Sequence, residues 1–201
     1  MIIGIVGFIG SGKGSVGDIL VGKGYSKDSF AKSLKESVSI IFGWSLELLE
    51  GDTKESREWR DMVDPHWSRI MGRDITPRMI LQEFGTDVCH SFISPLVWVE
   101  SLFKRVAGDT VITDARFSHE IKAIRERGGK LVRVMRETDP WWVSILENLT
   151  GDDRTYFMGQ FDIHRSEWDW VGESFDYTIQ NDGTLEELKD RVNEMLKIIG
   201  G

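Results

Sequence analysis

Apolar and polar residues follow two rhythms along this chain. Short apolar, β-branched runs occur at Ile2–Val6, Val111–Thr113, Leu131–Met135 and Tyr177–Ile179, each the length of a buried strand. A further short strand is expected near Ser29–Ala31. Helical periods fill the spaces between. The first predicted helix runs from about Gly14 to Lys23 and is closed by Gly24, since glycine is the residue that ends helices most readily. A second is amphipathic and carries Leu34, Val38, Ile41 and Phe42 as apolar positions. Thr76-Pro77 opens a third that reaches about His90, with a capping hydroxyl followed by proline in the first turn. Others are expected over Leu96–Val106, and from Ser118 as cap to a stop at Gly128-Gly129. The last begins with the capping box Thr184-x-x-Glu187 and continues to Ile199.

Two stretches resist both periods. Gly51 to Arg73 is polar and rich in charge and tryptophan, and Asp139–Trp170 reads as an inserted excursion. The remaining alternation of strands and helices predicts an α/β fold in three layers, a mostly parallel sheet of about five strands with helices on both faces. No internal repeat and no low-complexity tract interrupts it.

Directly after the first strand comes Gly7-Phe-Ile-Gly10-Ser-Gly12-Lys13-Gly14-Ser15. This is the G-x4-G-K phosphate loop, in the strand-loop-helix setting that it requires. Glycines let successive N–H groups turn inward onto phosphate oxygens, and the following helix adds its positive end. Gly10, Ser11, Gly12, Lys13, Gly14 and Ser15 are therefore the expected triphosphate ligands, with Lys13 a mobile charge for the outer phosphates. The general pattern puts the magnesium-binding hydroxyl immediately after the lysine. Here Gly14 stands there and the hydroxyl comes at Ser15, a G-K-G-[ST] form that resembles the loop of adenylate kinase and other nucleoside monophosphate kinases. Ser15 is the candidate metal contact.

Val111-Ile-Thr-Asp114-Ala-Arg116 ends a second strand with a carboxylate and an arginine. In open α/β sheets ligands bind beyond the carboxyl ends of the strands, so Asp114 and Arg116 should face the same phosphates. Asp114 can hold magnesium through water or orient an acceptor, and Arg116 can clamp an anion bidentately; a plain loop salt bridge between the two is the bland reading. Phosphoryl transfer needs converging cations, and Lys35, Arg57, Arg60, Arg78, Arg133 and Arg136 are candidates. Arg78 stands out on the helix that carries Gln82 and reaches Gly85-Thr86-Asp87, a segment equally readable as an ordinary helix end. Of the eight tryptophans, those in the irregular insert are assigned mainly to a small core of its own.

Composition narrows the partners. The 201 residues carry a net charge of −8, which disfavours long nucleic acids because their binders neutralise phosphates with a basic face. The single cysteine excludes an internal disulfide framework, and the four histidines show no metal-ligand spacing. The apolar stretch MIIGIVGFIG is too short for a signal peptide or a membrane span. A cytosolic protein that binds small anions is expected, with no membrane and no nucleic-acid polymer as partner; a homodimer is compatible with the sequence.

Four stretches together resemble the bacteriophage deoxynucleoside monophosphate kinases: the G-x4-G-K loop, Leu81-Gln-Glu-Phe-Gly-Thr-Asp87 with Trp98 after it, Thr113-Asp-Ala-Arg-Phe-Ser-His-Glu120, and Asn181-Asp-Gly-Thr-Leu-Glu-Glu-Leu188. His164-Arg-Ser-Glu167 resembles an H-x-[ST]-E stretch preceding the last of these. The resemblance implies ATP as donor, magnesium, and a deoxynucleoside monophosphate as acceptor, in the host cytoplasm if the protein is phage-encoded. It implies one P-loop kinase domain over 1–201, with an acceptor-binding helical region at about 32–108 and a lid-like insert at about 137–170. Lys35, Arg78, Gly85, Thr86, Trp98, Asp114, Arg116 and Glu120 would line the acceptor pocket, and Asn181, Asp182 and Gly183 would lie near the donor base. A lid arginine, Arg133, Arg136 or Arg154, would swing in to exclude water, with Arg136 grouped with Lys13, Asp114 and Arg116 as catalytic. A dephospho-coenzyme A kinase, which shares an N-D-G-x-L-E-E-L-like stretch, and a non-catalytic ATP-sensing module are the rival readings.

Overall fold

The computed structural model describes residues 1–161 and 163–200; residue 162, inside the expected insert, and residue 201 lie outside the described residues. In chain order the elements are β1 (Ile2–Val6), α1 (Lys13–Val21), β2 (Ser26–Asp28), α2 (Lys32–Phe42), α3 (Leu46–Glu50), α4 (Lys54–Arg60), α5 (Pro65–Met71) and α6 (Pro77–Gln82). A π-helical segment, Glu83–Ile93, prolongs α6. There follow α7 (Val97–Phe103), β3 (Thr110–Ile112), α8 (Ser118–Glu126), β4 (Lys130–Met135), α9 (Val143–Leu146), α10 (Gly151–Gly159), a single 3-10 turn at Arg165–Glu167, β5 (Tyr177–Gln180) and α11 (Leu185–Ile199). These divide into two compact units, residues 30–105 forming one and residues 1–29 with 106–201 the other.

The larger unit is built on a sheet ordered β2-β3-β1-β4-β5, every adjacent pair parallel. β1 is central, with Ile3 opposite Val111 on one side and Lys130 on the other. Its side chains alternate between two cores. Ile3 and Ile5 join Val16 and Leu20 of α1 and Leu188, Val192 and Met195 of α11 in one apolar cluster. On the opposite face Gly4 leaves room for α8: a Cβ there would stand 2.6 Å from Cδ1 of Ile124. Helices therefore cover both faces, as the alternating pattern predicts.

Because the strands run parallel, their carboxyl ends share one edge. Gly7 follows β1, Asp114 follows β3, Arg136 follows β4 and Asn181 follows β5. Four segments singled out in the sequence are thus delivered to one place by topology alone.

Several boundaries differ from the sequence expectation. The short strand is Ser26–Asp28, not Ser29–Ala31; it lies at the sheet edge, where polar side chains are tolerated, so no apolar alternation marks it. Ser118 is the first residue of α8 rather than its cap. Its hydroxyl donates to the backbone carbonyl of Asp169 at 3.0 Å instead. Ile41 on α2 is 52% exposed, while Val38 is buried.

The smaller unit owes its core to the tryptophan-rich stretch. Val38, Trp44, Leu49, Ile75 and Ile80 are buried, with Trp59 and Trp67 packed against them. Indole donors are satisfied within the unit: Trp44 Nε1 donates to Asp64 Oδ2 at 2.7 Å and Trp67 Nε1 to the Phe42 carbonyl at 3.0 Å. Region 51–73 resolves into α4, capped by Thr53, and α5, capped by Asp64 with Pro65 at its first position.

Candidate active site

The phosphate loop is shaped by glycines at the positions that need them. Gly10 and Gly12 have φ of 82° and 98°, values that side chains with a Cβ rarely adopt. The loop then feeds α1, whose first turn has no side-chain cap. The leading N–H groups of an uncapped helix are unsatisfied donors, suited to an anion. The Ser11 hydroxyl is buried with no hydrogen-bond partner among the described residues. Lys13 folds back across the loop, its Nζ donating to the carbonyls of Gly7 at 2.7 Å and Phe8 at 2.9 Å. Ser15 is exposed on the first turn of α1.

Neighbouring strands hold the loop from behind. Asn181 is buried; its Nδ2 donates to the Ser11 carbonyl at 2.8 Å and its N–H to the Met135 carbonyl at 2.5 Å. Phe8 packs between Trp142, with centroids 5.5 Å apart, and Trp170, at 4.8 Å. The insert is therefore rooted on the phosphate loop by two indoles. Asp182 pairs with Arg191 at 2.7 Å, and Gly183 lies against Glu187.

Lys13, Asp114, Arg116 and Glu167 share one electrostatic field. Burial, then the positive charge of Arg116, lowers the Lys13 ammonium to about 8, and the carboxylates of Glu167 and Asp114 oppose that shift. Arg116 Nη1 lies 3.4 Å from Glu167 Oε1. Because β1 and β3 are adjacent and parallel, the phosphate loop and the Asp114–Arg116 tip leave the sheet at the same edge.

Glu120 is placed beneath this tip. It is 7% exposed, and its Oε2 accepts from the backbone N–H groups of Arg116 at 2.8 Å and Phe117 at 3.0 Å. Burial, then the Asp114 charge, pushes its carboxyl up to about 8 against those two donors. A raised folded-state pKa means the native protein binds the extra proton. Its stabilising contribution is full below about pH 4.5, the ordinary value, and is lost as pH rises through about 8. Glu120→Gln keeps an oxygen for the same donors and cannot ionise. Thermal melts from pH 5 to pH 9 are expected to show the wild type losing stability relative to this variant; parallel curves would contradict a buried, proton-holding Glu120.

Arg136 is exposed and helps line a cleft of about 390 Å³ with Phe8, Ile9, Gly10, Ser11 and Met135. Arg133 and Arg154, two of the three arginines expected to supply a lid cation, both have partners within the insert. Arg133 pairs with Asp139 and lies 5.2 Å over the Trp170 ring. Arg154 Nη2 donates to the Val171 carbonyl at 2.7 Å and its guanidinium lies 5.8 Å over Trp168. Both lock the insert's framework, which leaves Arg136, of those three, beside the loop.

In the smaller unit, Lys35 pairs with Glu50 at 2.5 Å. Arg78 forks onto Asp61, with Nε to Oδ1 and Nη2 to Oδ2 at 3.0 Å. Trp98 Nε1 donates to the Gly85 carbonyl at 3.0 Å, and Leu34 Cδ2 would lie 2.8 Å from a Cβ on Gly85, so that glycine serves close packing. Thr86 is exposed. Among the described residues no three His, Cys, Asp or Glu side chains are grouped to hold a metal ion, and no helix is long and apolar enough to cross a membrane.

Sequence reasoning gave no role to Phe8, an unassigned position of the loop motif, and noted the stretch ending in Glu167 without giving the carboxylate a role. The donor set itself fits a triphosphate: uncapped helix N–H groups, an orphaned hydroxyl and a desolvated ammonium converge on one loop.

The parallel 2-3-1-4-5 sheet with the phosphate loop on its central strand is a three-layer P-loop fold, and the curated relatives of this chain support a kinase. Its resemblance to the phage-type deoxynucleoside monophosphate kinases holds against known proteins. It is 26% identical over 209 aligned positions to a putative deoxynucleotide monophosphate kinase of Acanthamoeba polyphaga mimivirus, covering 96% of this chain and 94% of that protein. It is 28% identical over 127 positions to the deoxynucleotide monophosphate kinase of Escherichia phage RB69, covering 60% of this chain and 44% of that one. A solved structure, the dephospho-CoA kinase from Campylobacter jejuni, aligns with a TM-score of 0.46 at 14% identity over 98% of this chain and 96% of its own. No family model matches.

Proposed function

We propose that this kinase moves the γ-phosphoryl group of ATP onto the phosphate of a deoxynucleoside monophosphate. The observation that supports the reading is topological: the uncapped α1 terminus with Lys13 follows β1, and Asp114 and Arg116 follow the adjacent parallel strand β3, so both stand at one edge of the sheet. The names of the two viral relatives support the choice of acceptor.

On this reading the backbone N–H groups of Gly10–Ser15 bind the donor phosphates, and Lys13 leaves the Gly7 and Phe8 carbonyls for the outer ones. A phosphate oxygen of the acceptor forms a bond to the γ-phosphorus while the bond to the β–γ bridging oxygen breaks, which releases ADP. No covalent enzyme intermediate is needed, because positioning and charge neutralisation supply the catalysis. Magnesium, when bound, would neutralise β- and γ-oxygens, with Ser15 and Asp114 the residues to hold it directly or through water. Arg116 meets the acceptor phosphate and Arg136 covers the loop side of the transferring group. Glu120 acts by fixing the Arg116 backbone. Asn181 keeps the Ser11 carbonyl turned away from the phosphates.

Lys35, Arg78, Gly85, Thr86 and Trp98 are assigned to acceptor binding. The Arg78 fork on Asp61 has the planar two-point geometry that also fits a phosphate. A coupled assay of ADP release with each common deoxynucleoside monophosphate, its ribonucleoside counterpart and dephospho-coenzyme A tests the proposal. Acceptor-dependent turnover with at least one deoxynucleotide is expected. Turnover with dephospho-coenzyme A alone, or ATP binding without any acceptor-dependent release, would sink it.

A further inference from the structure

One side chain at the centre belongs neither to the phosphate loop nor to the strand tips. Glu167 sits on the 3-10 turn Arg165–Glu167, far along the chain from the elements it meets. The turn is built to present it. The His164 ring nitrogen accepts from the Ser166 N–H at 3.2 Å and the Glu167 N–H donates to the His164 carbonyl at 2.9 Å, so the turn has its own cap. Trp168 follows, buried, with Nε1 donating to the Ile163 carbonyl at 3.2 Å.

Two residues on, Asp169 ties the same segment to the loop after β3. It is 6% exposed; its Oδ2 accepts from the Ser118 N–H at 2.8 Å, and its carbonyl accepts from the Ser118 hydroxyl at 3.0 Å. Arg165 closes the turn by donating to the other Asp169 oxygen at 2.9 Å. The segment and residues 116–118 are therefore joined at two positions: Asp169 on Ser118, and Glu167 on Arg116 at 3.4 Å. Asp169 supplies the buried anchor, and Glu167 then reaches a guanidinium that is itself half exposed.

We propose that Glu167 is a positioning residue for Arg116, so that one turn of the insert sets the direction in which that guanidinium meets the acceptor phosphate. A guanidinium has five donors in a plane. One edge held by a carboxylate leaves another edge free for an oxyanion, and a pre-oriented fork loses less rotational freedom on binding. Arg133 and Arg154 brace the insert behind Glu167, through Asp139 and Trp170 and through the Val171 carbonyl. That rigid backing is what a positioning carboxylate requires.

The inference rests on the kinase reading above, and a double-mutant cycle separates the two. Glu167→Ala is expected to lower kcat/KM for the acceptor about tenfold, mainly through a higher acceptor KM. Glu167→Gln keeps an oxygen for Arg116 and should recover activity to within about threefold of wild type. In an Arg116→Ala background the further loss from Glu167→Ala should shrink below about twofold, because no guanidinium remains to orient. A full tenfold loss in that background would overturn the proposal, as would a glutamine variant as impaired as alanine. Wild-type protein without acceptor-dependent turnover would instead remove the kinase reading itself.

Discussion

Lys13→Ala is expected to lose on the order of a thousandfold in kcat/KM, equivalent to about 4 kcal/mol of transition-state stabilisation. The size of the effect follows from the lysine's surroundings. Its ammonium is desolvated and shares its space with Arg116, so bringing phosphate charge there relieves an unfavourable arrangement and the attraction is little screened. The same burial predicts that the fold does not suffer. A lysine lowered to about 8 in the native state is disfavoured in its charged form by folding, so stability attributable to this group rises as pH passes from about 8 to the ordinary value near 10.5. Lys13→Ala lacks that rise and should melt within a few degrees of wild type at neutral pH. Steady-state kinetics alongside a melt check both halves. A near-normal kcat/KM would contradict the lysine's role, and a collapsed melt would make the kinetic loss uninformative.

The second large effect concerns folding. Gly7→Ala is expected to cost about 3 kcal/mol or more. Gly7 has φ of 150°, and a Cβ there would run into the backbone carbonyl of Val134 and come within 2.8 Å of Ser11 Oγ. The Val134 carbonyl belongs to β4, a strand held on both sides, by β1 up to Val6 opposite Arg133 and by β5 with Val134 opposite Ile179, so it cannot step aside without disturbing the sheet. Gly10→Ala is the matched comparison. Its φ of 82° is also left-handed, yet a Cβ there meets nothing within 4 Å, so only the backbone cost of about 1–2 kcal/mol applies. Urea titrations of the two variants should give clearly separated midpoints, with Gly7→Ala far lower. Equal midpoints would mean that the loop does not approach β4 as closely as described.

These glycines also show how much was legible in the sequence. The G-x4-G-K spacing located the loop, and strand-end reasoning put Asp114 and Arg116 at the same edge of the sheet, because parallel strands bring their carboxyl ends to one edge whatever their order. Capping signals at Thr76-Pro77 and Thr184-x-x-Glu187 gave true helix starts. The strand order itself was not readable, since it depends on which distant runs pair. β2 escaped because an edge strand with two half-wet faces carries no apolar alternation. The tryptophan-rich stretch defeated periodicity for another reason: α4 and α5 are short, and their tryptophans pack from helix ends and loops rather than from one stripe. Within the site, charge and hydroxyl chemistry was visible, but scaffolding was not. Nothing in the sequence says that Asn181 grips the Ser11 carbonyl, that Phe8 is wedged between two indoles, or that Arg133 is spent on Asp139. Those roles are fixed by long-range packing, which a lone side chain's identity does not disclose.

The position of β1 also bears on how the molecule assembles. Ile2 pairs with Thr110, and Val6 with Arg133, so the strand that carries the phosphate loop finds both its neighbours only across long stretches of intervening chain. The helices of residues 30–105 satisfy themselves through nearer partners and can form early. β1 must meanwhile wait with two open edges, and pairings so remote in sequence form slowly. Refolding from urea should then show the helical signal recovering ahead of nucleotide binding, because the phosphate loop takes its shape only when the sheet closes around β1.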